Sequence, residues 1–248
     1  MSNSKLFQVG LPILICAMAV QASVVTAITP AGSATSGPVS ATATFTTGTN
    51  FLNITLTNLE VNPTDVSQLL SNLEFTLSNG ATSGTLFSSS GTLITVNTGG
   101  TVSFNGSGST GWGLNNNVAG GLQLDAIGFI GPKGLIIGPP NASGIYSNAN
   151  GSIDGNSAHN PFVYTPSTLH PATFIITFDP SAGVTAATTI KSATFSFGTT
   201  AGQDMVQGCF TTDANCGSSS VPEPISLLLS GTGLLGLFFL RRRFVARS

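Results

Sequence analysis

Two histidines, His159 and His170, are the only side chains in the body of this chain suited to general-base work near neutral pH. A Ser-His-Asp hydrolase would need one of them beside an activated serine. Both stand at loop entries, in His159-Asn160-Pro161 and His170-Pro171, where an imidazole commonly bonds backbone. Serine is so abundant that nearness to one carries no information. No Gly-x-Ser-x-Gly elbow marks a strand-to-helix turn. Glycoside cleavage would need two carboxylates flanking one bond, and Glu60, Glu74 and Asp125 are scattered along the chain with nothing to pair them. The reading is a non-enzymatic protein with no cofactor, and a secreted hydrolase is the weakest alternative.

Binding chemistry has three candidates. Asn148, Asn150, Ser152, Asp154 and Asn156 place oxygen side chains at every second position. Such a loop can hold Ca²⁺, but it carries one formal charge and lacks the bidentate Glu of a calcium loop. Polar turns account for it equally well, so no metal site is assigned. Trp112, the single tryptophan, lies in Gly111-Trp112-Gly113 and is a candidate ligand contact, because its face can stack on a sugar ring. The competing reading is a core anchor. Asn53, Asn105, Asn141 and Asn150 each open an Asn-x-Ser/Thr triplet, which this composition produces by chance. Cys209 and Cys216 frame six residues and read as a disulfide in an exported chain, with free thiols or a metal as the other options.

The elements that would hold these residues read as strands. Leu52, Ile54 and Leu56 alternate with Asn53, Thr55 and Thr57. Phe174, Ile176 and Phe178 alternate with Thr173, Ile175 and Thr177, and Ala193, Phe195 and Phe197 with Ser192, Thr194 and Ser196. A period of two with β-branched and aromatic residues marks half-buried antiparallel strands. Shorter runs at 85–87, 92–96 and 101–104 follow, with Asn97 to Gly100 as a hairpin turn. Val66, Leu69, Leu70 and Leu73 have helical spacing behind Asp65, so one or two helical turns are expected over 64–73. Residues 105–171, rich in Gly, Asn and Pro, are expected to be short strands on long loops. Twelve phenylalanines in the body can fill one core. The fold class is all-β, a single antiparallel β-sandwich, jelly-roll-like, over residues 28–217.

Composition narrows the partners. Of 248 residues only 6% are charged, against about 25% in an average soluble domain. Between the two ends stand Lys133 and Lys191 against eight acids, a formal charge of −6. A nucleic-acid partner needs a basic face and is excluded. Charged coiled coils and disordered acidic tails are excluded with it.

The ends carry addresses. Residues 1–27 read as a secretory signal peptide: Lys5, a short apolar stretch from Val9 to Val20, then Val-x-Ala at Val20-Gln21-Ala22 or at Val25-Thr26-Ala27. Ile15 before Cys16 argues against a lipoprotein, and an uncleaved anchor is the alternative. Residues 218–248 have three parts in order. Pro222-Glu223-Pro224 comes first, Ile225 to Leu240 is free of charge, and Arg241, Arg242 and Arg243 close it. The apolar piece would span ~24 Å as a helix, slightly short of a bilayer core. The arginines would hold this end inside.

These three features resemble the PEP-CTERM sorting signal. The resemblance implies an exosortase-like membrane peptidase as partner, found in Gram-negative-type bacteria that make exopolysaccharide. It makes Pro222, Glu223 and Pro224 the sorting motif, 225–240 a transient transmembrane helix and Arg241 to Arg243 the membrane stop. Signal peptidase and the export machinery would act first. The expected product is a cell-surface or extracellular-matrix protein in contact with exopolysaccharide; the alternative is a carbohydrate-binding or adhesive module.

Overall fold

The computed structural model describes residues 22–30, 32–213 and 216. Its strands in chain order begin with β1 (Ser23–Ile28), β2 (Gly32–Ala34), β3 (Gly37–Val39), β4 (Ala41–Gly48), β5 (Phe51–Asn58), β6 (Leu70–Leu77) and β7 (Thr85–Val96). They continue with β8 (Val102–Gly108), β9 (Gly113–Val118), β10 (Gly121–Asp125), β11 (Ile136–Ile137) and β12 (Phe162–Tyr164). The last are β13 (Ala172–Thr177), β14 (Ile190–Phe197), β15 (Met205–Gln207) and β16 (Cys209–Phe210). One helical turn, α1 (Ile127–Ile130), and 3-10 turns at Val66–Gln68 and Pro180–Ala182 interrupt them. The all-β expectation holds.

Period-two alternation decides which side chains face inward. Leu52, Ile54 and Leu56 of β5, Phe174 and Ile176 of β13, and Ala193, Phe195 and Phe197 of β14 are fully buried. Their alternates Thr55, Thr173 and Thr194 are only partly covered. β4 follows the same rule with small residues, since Ala41, Ala43 and Phe45 are buried. Its run of Ala and Thr is too weakly apolar to stand out in sequence. Along the outward face of these strands Thr26, Thr44, Thr55, Thr173 and Ser90 lie in one register row across β1, β4, β5, β13 and β7. Thr26 and Thr44 share a hydroxyl hydrogen bond of 3.2 Å. Threonine suits this position because it is β-branched and needs no counter-ion.

Among the described residues fourteen strands make one mixed sheet, with the path β15-β14-β6-β11-β12-β7-β13-β5-β4-β1-β16 and with β8, β9 and β10 beside it, β8 on β7 and β9 on β10, which pairs with β6. β11 and β12 run parallel, and the other described pairs are antiparallel. Two places let this sheet double over. β7 pairs with β13 through Ser90 and with β12 from Thr92, so Gly91 stands where the strand changes partners. A Cβ on Gly91 would meet Val163 Cγ1 at 2.7 Å. At the other end β15 and β16 are separated by Gly208 alone. The stretch Met205 to Phe210 therefore pairs first with β14 and then with β1, and joins the two ends of the path. Between the layers, Phe45 on β4 and Phe75 on β6 meet with ring centroids 5.6 Å apart.

Three local expectations change. Residues 64–73 hold a single 3-10 turn, and β6 begins inside this span at Leu70, because Leu69 is already extended and buried. The runs at 85–87 and 92–96 are parts of one twelve-residue strand. Ser23 to Ala27, placed within the 1–27 leader by sequence, join Ile28 in β1, which pairs with β4 over six residues. Residues 105–171 do hold short strands on long loops. Tyr146 is fully buried in the longest of these loops, and its hydroxyl donates to Gly138 O at 2.7 Å.

Gly208 should tolerate no side chain, because a Cβ there would sit 2.8 Å from Phe195 Cε2 and 3.0 Å from the Ala193 carbonyl oxygen. Gly208→Val is expected to lower stability by about 1–3 kcal/mol in urea unfolding, the usual cost of overpacking. Gly151→Ala, which meets nothing within 4 Å, should leave it unchanged.

Candidate functional site

Trp112 is 4% exposed, its Nε1–H donates to Gly134 O at 2.7 Å, and its ring lies 5.3 Å from that of Phe174. Both the face and the edge of the indole are used by the core, so the ligand-contact expectation gives way to the core-anchor reading. Neither histidine meets a carboxylate among the described residues. His159 Nδ1 bonds the Ser152 backbone oxygen, and His170 Nδ1 lies 3.3 Å from Ser167 Oγ.

The oxygen-rich loop is turned onto the protein. Asn150 Nδ2 donates to Asp65 Oδ2 at 2.6 Å, and Ser152 Oγ donates to the same oxygen at 3.1 Å. Asp154 Oδ1 accepts from Gly100 N. Asn156 Oδ1 accepts from Ala158 N. Among the described residues no three His, Cys, Asp or Glu side chains group as metal ligands. The organising residue is Asp65, which the sequence reading placed only at a helix start. It caps Val66–Gln68 through the Ser67 N–H at 2.8 Å, and Gln68 returns a bond to the Asp65 N–H. Partial burial pushes the Asp65 carboxyl up, but bonds from Asn150, Ser67 and Ser152 outweigh this and bring it down to about 2.

The scattered carboxylates behave differently from one another. Glu60 is partly buried, and burial pushes its carboxyl up. Asp125 is 4% exposed and caps the turn before α1, accepting from Ile127 N at 2.8 Å and Gly128 N at 3.0 Å. Glu74 lies opposite Gln123 of β10, and Asp125 opposite Asn72 of β6. Register therefore puts Glu74 and Asp125 on one outer face, which their sequence separation conceals. The oxygens of Asp125 are already committed to these two backbone N–H groups and to Asn115 Nδ2 at 3.4 Å.

The chain leaves the body at a locked seam. Cys209 and Cys216 are bonded, with Cα atoms 5.5 Å apart. Cys209 lies opposite Ile28 and Phe210 opposite Ala27, and Thr211 N donates to Thr26 O at 3.0 Å. The first and last strands of the body thus run side by side. A cleft of about 590 Å³ follows this seam, lined among others by Val25, Lys191, Gln207 and Phe210. Pro222, Glu223, Pro224, Arg241, Arg242 and Arg243 lie outside the described residues, as do the apolar stretches at both ends. Among the described residues no helix is long and apolar enough to cross a membrane.

Stability should follow the Asp65 carboxylate. Its folded-state pKa is depressed, so its contribution is complete above the unfolded value and is lost as pH falls through about 2. Asp65→Ala is expected to cost about 1 kcal/mol at neutral pH, the usual worth of a cap. The gap to wild type should close between pH 4 and 2 in urea titrations, and a gap independent of pH would count against the carboxylate. Cys209→Ser should cost about 2.5 kcal/mol, the chain-entropy value for so short a loop, read from the same titrations at pH 7.

A family model for the PEP-CTERM protein-sorting motif matches residues 220–243. That motif implies export, passage through a membrane and processing by an exosortase. No curated protein and no solved structure matches the chain.

Proposed function

We propose that this chain is a non-enzymatic surface or matrix protein, delivered by export and released from a transient membrane anchor by exosortase cleavage near Pro224. The observation that carries the reading is the sorting motif at 220–243, which begins four residues after Cys216. The folded-over sheet, read as a sandwich, ends at a disulfide, so a pull or a cut beyond Cys216 acts on a closed body. A residue before proline is disfavoured in helix, and an extended backbone is what a peptidase needs. The body's charge of −6 and its threonine-covered outer layer suit a hydrated, carbohydrate-rich exterior.

The same seam bears on the leader. Removal after Ala22 leaves β1 whole, with Ser23 as the new amino terminus. Removal after Ala27 would take away five of the residues that pair with β4, including the fully buried Ala27. It would also remove one of the two residues that pair with β16, Ala27 opposite Phe210. Signal peptidase is therefore expected to cut between Ala22 and Ser23.

Intact mass of the protein from membrane and extracellular fractions of its host tests both ends. The expected extracellular species begins at Ser23 and ends near Pro224. A tail running through Ser248 in every fraction would overturn sorting by cleavage. An amino terminus at Ile28 would overturn the leader assignment without touching the sorting.

A further inference from the structure

We infer that the outer face of β9, β10, β6, β14 and β15 is a binding surface for a neutral polysaccharide. The observation is a register row of five polar side chains, one from each strand: Asn115, Gln123, Glu74, Thr194 and Gln207. Their neighbours Leu114, Leu122, Leu124, Leu73, Phe75, Ala193 and Phe195 alternate with them and pack toward the core. The row therefore points outward. At about 4.8 Å per strand step it runs ~19 Å, the length of a short oligosaccharide.

The row is partly pre-organised. Asn115 Nδ2 donates to Gln123 Oε1 at 2.9 Å, Thr194 Oγ1 donates to Gln207 Oε1 at 3.0 Å, and Gln207 Nε2 is held by Ala193 O. These bonds fix the amide planes and use the Gln123 acceptor, leaving its Nε2 hydrogens directed elsewhere. Glu74, between the two halves, makes no side-chain hydrogen bond to the described residues. A carboxylate acceptor beside an amide donor is the pairing that two adjacent sugar hydroxyls satisfy, one donating and one accepting.

Both ends of the row add to this. Phe129 of α1 is 51% exposed, and its ring covers Gly113, where a Cβ would sit 2.3 Å from ring carbons. Gly113 lies opposite Asp125 and two residues from Asn115, so the ring flanks the first amide of the row. An exposed aromatic face next to fixed polar groups offers the apolar C–H contact of a pyranose as well as its hydroxyl contacts. At the far end Gln207 lines the 590 Å³ cleft along the seam. A body at −6 with Glu74 central to the row repels anionic chains, and the four uncharged members of the row match the hydroxyls of a neutral one.

The surface is independent of the sorting signal, and glycan retention can fail while processing succeeds. The exported protein is run in native gels containing, in turn, a soluble β-glucan, an α-glucan, a mannan and a galactan, with alginate as the anionic comparison. Retardation is expected by at least one neutral polymer and not by alginate. Glu74→Gln, Gln123→Ala and Phe129→Ala should each weaken it tenfold or more, while Thr55→Ser on the opposite layer leaves it unchanged. Melting temperatures within a few degrees of wild type show that each variant is folded. No retardation by any neutral polymer, or retardation that all three variants retain, overturns the proposal.

Discussion

The structure depends on the joining of its sheet by Met205 to Phe210. Those residues pair with β14 on one side of Gly208 and with β1 on the other, so the two ends of the hydrogen-bonded path become neighbours. An open edge presents unpaired N–H and C=O groups and invites other chains. Joining the ends removes that exposure along the seam, and the 209–216 disulfide holds the last strand in place. The matching event on the other side is the change of partners in β7 at Gly91, where only glycine leaves room for Val163. The core aromatics Phe45, Phe75, Trp112 and Phe174 meet because both hinges exist.

The near absence of charge is consistent with this arrangement. Sheet faces that meet water must be polar, and here the polarity comes from Thr, Ser, Asn and Gln rather than Lys and Glu. One layer carries a threonine row and the other an amide and carboxylate row. Side-chain amides and hydroxyls can bond each other across strands, as Thr76 with Ser192 at 2.6 Å does, without desolvating an ion. One loop does place a carboxylate, and satisfies it locally: Asp65, Asn150 and Ser152 form a network that closes on itself and on the turn it caps.

Much of this was legible in residue order, and the limits have physical causes. β5, β13 and β14 were readable because large apolar and β-branched residues alternate in them. β4 was not, since Ala41 and Ala43 carry too little apolar surface to announce an inward face. β1 was hidden by its position, because Val24, Val25 and Ala27 look like the end of a leader. Trp112 was ambiguous because type and neighbours cannot say whether an indole faces a core or a sugar. The pairing of Glu74 with Gln123 could not be read at all, since strand register is a long-range property.

By itself, the sequence determined the all-β class, the cysteine pair and the sorting signal. Each of these is local: a period of two, a short loop between thiols, and a motif in fixed order before an apolar stretch. Only the tertiary structure decided that β1 belongs to the body, that Trp112 is internal, and that five strands far apart in sequence set their polar side chains in one row. These outcomes depend on which strands become neighbours. That choice is made by burial of both layers against one core and is not encoded in any single segment.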